Sequence, residues 1–451
     1  INLGLQYRGL PIKTFENFPN NEALIFSFGV TTNDFNFGYS YDYTLSELSN
    51  ASGGAHEISI SYLFQWGKPL RLPKELEGIY PPEEYAKSQR YLKARSKFSF
   101  LTTAFSTSLT VLVLAFGLFG DLHVWLSDHF QDPIVHSLIF FGVLFIVSDI
   151  INIPFELYST FVIEEKFGFN KTSLKTFWLD KVKGYVLVAI LGGGLGYVLL
   201  WLIFEWHEQF WVYALIVITA FSLFMSVFYT SLILPLFNKL TPLADGELKD
   251  KINAYADRVK FPLDNIFVID GSKRSSKANA FFSGMGKKKK IVLFDTLIEK
   301  QSDEELVAIL AHEVGHFKKK HIVGSMIISV IQMAITLYVL SLLIFNENLS
   351  MALGADGMSV HLNLVAFALL YTPISKLTGV LMNVISRKNE FEADVYASTT
   401  YNPAPLQSAL KKLSVDSLTN LTPHPAYVFV NYSHPTLLER LKHMDQFKKQ
   451  E

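Results

Sequence analysis

Residues 312–316 read His-Glu-Val-Gly-His, two imidazoles four positions apart with a carboxylate beside the first. On a helix, positions i and i+4 stand on one face one turn apart, so both rings can reach a single ion. Glu313 projects beside them, placed to take a proton from a water that the ion polarises. The chain contains no cysteine, which excludes thiolate ligands and leaves imidazole and carboxylate as the donors for any transition metal. A catalytic zinc takes three protein ligands and keeps its fourth position open, so a third donor must come from another segment. Asn389-Glu390-Phe391-Glu392-Ala393-Asp394 offers three carboxylates. Glu390 and Asp394 share a helical face, whereas Glu392 lies about 200° round from Glu390. One of the pair can bind a metal and the other can orient a ligand histidine. Gly315 costs a helix about 1 kcal/mol relative to alanine, a cost that packing helices avoid unless a close approach demands it.

These groups need a rigid helix, and the local sequence supports one. Ser302 with Glu305 three positions later forms a capping box, and residues 306–311 continue it as an apolar run free of Gly and Pro. Upstream, residues 265–270 and 290–295 are β-rich runs predicted to pair as strands, with residues 287–290 as a solvated turn between them. The chain after Asn389 reads as amphipathic and mostly soluble.

Hydrophobic runs flank this region. Half of the 451 residues are apolar and the mean hydropathy is +0.25. Near-continuous apolar stretches at 98–120, 134–158, 185–204, 211–237, 322–345 and 362–385 each reach the roughly 20 residues a bilayer requires, so six spans are predicted. Lys and Arg crowd the segments before the first, between the second and third, and after the sixth, where Arg387 and Lys388 stand. The complementary loops hold Asp121, Asp128, Glu205, Glu208, Glu347 and Asp356 and no Lys or Arg. This asymmetry places the loop of residues 238–320, and with it the histidine pair, on the cytoplasmic side. Asp149, Asn152 and Glu156 within a span fit a water-filled chamber, because intramembrane charge is costly away from water or a partner. Gly192-Gly-Gly-Leu-Gly196 lies inside a span and reads as close helix packing or cavity lining in preference to a phosphate loop. The net charge of −1 argues against a nucleic-acid binder that works through a strongly basic field, and no internal repeat suggests a transporter.

The first 66 residues differ. Residues 36–45 and 56–64 alternate apolar with small or polar side chains at period two around a Ser/Gly turn, the pattern of outer-membrane barrel strands or of a soluble hairpin pair.

Six ordered motifs now carry a resemblance: residues 161–170 (FVIEEKFGFN), 271–280 (GSKRSSKANA), 291–297 (IVLFDTL), the HEVGH box, 386–394 (SRKNEFEAD) and 433–440 (SHPTLLER). On these, residues from about 70 to 450 resemble the M48 family of zinc metalloproteases, specifically the Ste24-type C-a-a-X prenyl endopeptidase branch. The resemblance implies an α-helical polytopic membrane protein whose helices enclose a chamber capped by a zincin-like catalytic domain. It implies a membrane-embedded zinc metalloendopeptidase with one Zn2+ per chain on His312, His316 and Glu390, and Glu313 as general base. It further implies that Asp394 supports the site, that Arg440 braces the glutamate ligand, that Asn279 holds the substrate backbone and that His434 helps stabilise the oxyanion. The family usually has seven spans. Here the place of the first is taken by residues that resemble the C-terminal end of a PorP/SprF-type outer-membrane protein of type IX secretion, as in a fused reading frame.

The expected organisation is therefore a β-strand segment at 1–67, N-terminal membrane helices at 68–237, and a catalytic region at 238–451 with two further membrane helices. The expected partners are the lipid bilayer and a peptide or membrane-protein substrate, with no nucleic acid. The expected location is the bacterial inner membrane with the catalytic domain on the cytoplasmic side. The bacterial flank argues against a prenylated protein as the natural target.

Overall fold

The computed structural model describes residues 2–8, 14–15, 18–19, 23–32, 35–44, 55–62, 76–79, 81–283 and 289–447. The chain forms two compact units, Ile1–Arg71 and Leu72–Glu451.

In the first unit a four-stranded antiparallel sheet runs in the order Asn2–Arg8, Ala23–Thr32, Phe35–Thr44, Ala55–Tyr62. Two of these match the strands expected from the period-two alternation, with Phe37 opposite Ile60 and Tyr39 opposite Ile58. The other two were not anticipated, although Leu24, Phe26, Phe28 and Val30 alternate in the same way. Residues 45–54 and Phe64 lie outside the described residues.

In the second unit, among the described residues, five helices are long and apolar enough to cross a membrane: Pro82–Ala115, Pro133–Glu164, Leu174–Phe237, His321–Leu343 and Val360–Thr400. This corrects the expected count of six. Two of the expected spans lie in the one element Leu174–Phe237, which is interrupted by a 3-10 turn at His207–Gln209, where His207 has φ 43°. The two legs fold back on each other around this turn, with Leu200 and Ile203 packed in one cluster with Phe210 and Ala214. Apolar side chains cover the outside of these helices: Phe100 is 78% and Leu377 70% exposed, a surface suited to lipid. The first helix stops at Ala115 because Gly117 turns left-handed at φ 66°, and the short helix Leu118–Ser127 follows. The last helix continues fifteen residues past its expected end at 385, to Thr400, and carries the 389–394 segment within it.

Of the polar residues expected in a chamber, Asp149, Asn152 and Glu156 line a cavity of about 400 Å³. Lys181 pairs with Asp149 at 2.6 Å and with Glu156 at 2.8 Å, so two of the intramembrane charges share a cation. Gly196 allows close packing, since a Cβ there would lie 3.3 Å from Leu138.

A second sheet has the order Leu240–Pro242, Leu263–Ile269, Lys289–Phe294, Ala280–Ser283. The expected pair is present but parallel, with Phe267 opposite Val292. The unanticipated strand Ala280–Ser283 runs antiparallel at the edge. Residues 287–288 of the expected solvated turn lie outside the described residues. Lys289 and Lys290 instead begin a strand, and the buried Lys289 places its ammonium 5.1 Å from the Phe317 ring centre. Below the sheet, Ile291, Leu293, Leu297, Leu306, Val307, Leu310, Leu406 and Met444 form the core that holds the helix Asp303–Lys318.

Candidate active site

The expected capping box forms: Ser302 Oγ accepts from the Glu305 amide at 3.3 Å and Glu305 Oε2 accepts from the Ser302 amide at 2.8 Å. Glu305 also accepts from Ser408 Oγ and Lys412 Nζ, which ties the start of this motif helix to Pro403–Asp416. Leu306, Val307, Leu310, Ala311 and Val314 are buried, so the helix cannot roll and His312 and His316 hold their direction.

The long helix Val360–Thr400 crosses the motif helix closely. A Cβ on Gly315 would lie 3.0 Å from the Ala393 Cα and 3.1 Å from its carbonyl oxygen, which is the close approach that glycine permits here. This contact brings Glu390 to the two histidines. His312 Nε2 and His316 Nε2 are 3.2 Å apart; Glu390 Oε2 is 3.4 Å from the former and Glu390 Oε1 is 3.3 Å from the latter. Ligands of a tetrahedral zinc at about 2.05 Å stand roughly 3.3 Å from one another, so the triangle has the edge length the ion requires. Glu390 is 5% exposed, and its Oε2 is buried without a hydrogen bond among the described residues. The Arg440 guanidinium lies 3.4 Å from it, an ion-pair distance without a hydrogen bond, so the oxygen keeps a lone pair for a further cation. Donor set and geometry therefore fit zinc.

The far nitrogens of both rings are engaged. His312 Nδ1 lies 2.8 Å from Asp394 Oδ1, and Asp394 receives the Arg440 guanidinium through two bonds, Nε to Oδ2 at 2.8 Å and Nη2 to Oδ1 at 2.6 Å. Arg440 Nη1 stands 3.4 Å from Glu390 Oε2, so one planar fork spans both carboxylates. Burial disfavours a charged His312, but hydrogen bonds to Asp394 and Glu390 prevail and raise its pKa to about 9. His316 Nδ1 meets His321 Nδ1 at 3.0 Å, and His321 Nε2 meets Glu392 Oε2 at 3.1 Å. With His316 Nε2 kept free for an ion, its Nδ1–H donates to His321, whose Nε2–H donates to Glu392, and the tautomers along this relay are fixed. His321 was missed from the sequence. Lys320 adopts φ 60° between two helices, and no single helical period connects 316 to 321.

Glu313, Asn279, His434, His312, Glu390 and Arg440 line one cavity of about 160 Å³. The structure thus brings together all eight residues expected at the site, Asp394 standing behind His312. His434 is exposed, with Nε2 3.4 Å from Glu390 Oε1. Asn279 immediately precedes the edge strand Ala280–Ser283.

Residues 66–239 match the family "CAAX prenyl protease N-terminal, five membrane helices", residues 242–448 match "Peptidase family M48", and residues 1–62 match "Type IX secretion system membrane protein PorP/SprF". CAAX prenyl protease 1 of Saccharomyces cerevisiae is 34% identical over 83% of this chain and 88% of its own length. The Arabidopsis thaliana homolog is 36% identical over 86% and 95%, and the human homolog 33% over 84% and 89%. The crystal structure of S. mikatae Ste24p superposes with a TM-score of 0.80 at 34% identity, covering 83% of this chain and 92% of that one. Similarity of this extent, spanning the membrane helices and the HEVGH region alike, places the chain in peptidase family M48, among its membrane-embedded zinc metalloproteases of the Ste24 type.

Proposed function

We propose that His312, His316 and Glu390 hold one zinc ion and that Glu313 is the general base of peptide-bond hydrolysis. The observation that carries this reading is the donor triangle of 3.2–3.4 Å opening on the cavity that Glu313 lines. Bound zinc supplies Lewis acidity, polarising the scissile carbonyl and acidifying a water. Glu313 takes that water's proton and passes it to the leaving amine. His434, at the open side, donates to the developing oxyanion. Asn279 and the side of the edge strand Ala280–Ser283 that is unpaired among the described residues hold the substrate as an added strand. Asp394 and Arg440 fix His312 and Glu390.

We also propose the division into a strand segment at 1–67, membrane helices at 68–237 and a catalytic region at 238–451. The Lys and Arg bias of the loops supports a cytoplasmic catalytic side of the bacterial inner membrane, and the type IX secretion match of residues 1–62 supports only the bacterial part of that reading. The relatives are named CAAX prenyl proteases, so a prenylated C-terminal peptide is the first substrate to present, against the expectation drawn from residues 1–66. Turnover of membrane proteins is the alternative substrate class.

Glu313→Gln in detergent-purified protein should retain the zinc held by His312, His316 and Glu390 and lose about 10²–10⁴-fold in cleavage of a farnesylated peptide. Cleavage close to wild type in that variant, or a zinc content unchanged in His312→Ala, overturns the assignment.

A further inference from the structure

Far from the catalytic cluster, three imidazoles from three helices converge. His361 stands in the first turn of Val360–Thr400, His136 in the first turn of Pro133–Tyr158, and His123 on the short helix Leu118–Ser127. His361 and Glu390 lie near opposite ends of one helix, about 43 Å apart at 1.5 Å per residue. The cluster therefore belongs to the end of the membrane helices away from the active site, beside the loops that carry Asp121, Asp128 and Asp356.

One ligand nitrogen from each of the three rings lies within 4.8 Å of the others. His123 Nδ1 is 3.0 Å from His361 Nε2, and the His136 ring centre is 4.5 Å from that of His361 and 5.1 Å from that of His123. His361 also meets Ser137 Oγ through Nδ1 and Ser359 Oγ through Nε2, each at 3.1 Å. His136 and His361 are 7% and 4% exposed, whereas His123 is half-buried and opens the cluster to solvent.

A hydrogen-bonded pair of neutral histidines accounts for the contact between His123 and His361. It does not account for His136, whose Nε2 is buried with no hydrogen-bond partner among the described residues. A buried imidazole nitrogen left unmatched costs free energy that an apolar residue of similar size would not. The surroundings are rigid as well. A Cβ on Gly120 would lie 2.7 Å from the Gly354 Cα, so the helix bearing His123 is pressed against the 353–355 loop, and the Phe140 ring lies tilted against His361 with centres 4.5 Å apart. Three imidazoles converging on one point with one open side are a ligand set for Zn2+ and its borderline neighbours.

We propose that His123, His136 and His361 form a second transition-metal site, which pins three helices together at the membrane face opposite the catalytic centre. The ion would act structurally, since it would stand at the opposite end of the helix from Glu313 and the catalytic cavity.

The test uses the full chain in detergent, stripped with a chelator and titrated with Zn2+, with bound metal counted by elemental analysis. Wild type should take up two equivalents, and His123→Ala, at the half-buried position, should take up one and still cleave peptide. In a His316→Ala background, which removes a catalytic donor, Zn2+ should still raise the melting temperature. Adding His123→Ala should abolish that shift. Co2+ in place of Zn2+ should show a visible absorption band in His316→Ala that disappears in the double variant. One equivalent in wild type overturns the proposal, as does a second equivalent that survives both His123→Ala and His361→Gln. Because the His316→Ala arm reads this site alone, failure here is distinguishable from failure of the catalytic assignment.

Discussion

Gly315→Ala should weaken the zinc site even though alanine is the better helix residue. The substitution favours the helix by about 1 kcal/mol. Its new methyl, however, would sit 3.0 Å from the Ala393 Cα, 3.1 Å from the Ala393 oxygen and 3.1 Å from the Tyr396 Cβ, none of which can rotate away. Relief to an ordinary contact of about 3.5 Å requires the motif helix and the long helix to separate by roughly 0.5 Å. Overpacking of this kind costs about 1–3 kcal/mol, so the fold should lose between ~0 and ~2 kcal/mol after the propensity gain. The donors suffer more directly, because His312 and His316 ride on one helix and Glu390 on the other, at 3.4 and 3.3 Å. Metal sites tolerate errors of about 0.2 Å, so a separation more than twice that should loosen zinc by about 10–100-fold, or about 1.4–2.8 kcal/mol. Competition titration against a chromogenic chelator measures the affinity, and a thermal melt of the stripped protein measures the fold. A variant with wild-type zinc affinity and a raised melting temperature would show that the helix contact does not set the donor triangle.

Arg440→Ala should destabilise the protein by about 3–5 kcal/mol, because it strands the fully buried Asp394 without its counter-ion; Arg440→Lys should recover only part of this in thermal melts, lacking the two-pronged fork. In metal-stripped protein the His312 pKa of about 9 lies above its ordinary 6.5, so its proton stabilises the fold fully below pH 6.5 and is lost as pH rises through 9. The loss should approach 3 kcal/mol, at about 1.36 kcal/mol per pH unit, while zinc affinity, which must displace that proton, rises over the same window; a flat melting profile from pH 6 to 10 would contradict both. Deleting residues 1–71 should leave zinc binding and cleavage in place, since the second unit begins at Leu72, and absence of zinc from the folded, monodisperse remainder would show that the two units act as one. The cut must not pass Leu76, which is 0% exposed in the core with Tyr91 and Phe167.

What could be read beforehand was whatever depends on short-range periodicity. The HExxH spacing, the Ser302–Glu305 box and the shared face of Glu390 and Asp394 each lie within one helix, where 3.6 residues per turn determines which side chains meet. Asn279, His434 and Arg440 come from segments that touch the motif helix only after folding, and they entered through family resemblance. The His321 relay and the hairpin at His207–Gln209 hinge on single residues with positive φ at positions other than glycine, which composition does not flag. The strands 263–269 and 289–294 were recognisable as strands, but their parallel pairing depends on the edge strand inserted between them in sequence.

The helix Val360–Thr400 also has a mechanical consequence. It is a rod that crosses the bilayer and carries Glu390, the proposed zinc donor, toward one end, and a tilt of about 1° about its far end would move Glu390 by roughly 0.7 Å, more than a zinc site tolerates. Tilt follows bilayer thickness, so an unbroken rod would make hydrolysis a gauge of the surrounding lipid. The Gly315 contact clamps the rod beside Ala393, and Pro373 interrupts its hydrogen-bond ladder at the Leu369 carbonyl about a third of the way along. A bend at Pro373 would take up strain from the membrane and leave the segment beyond it to travel with the motif helix.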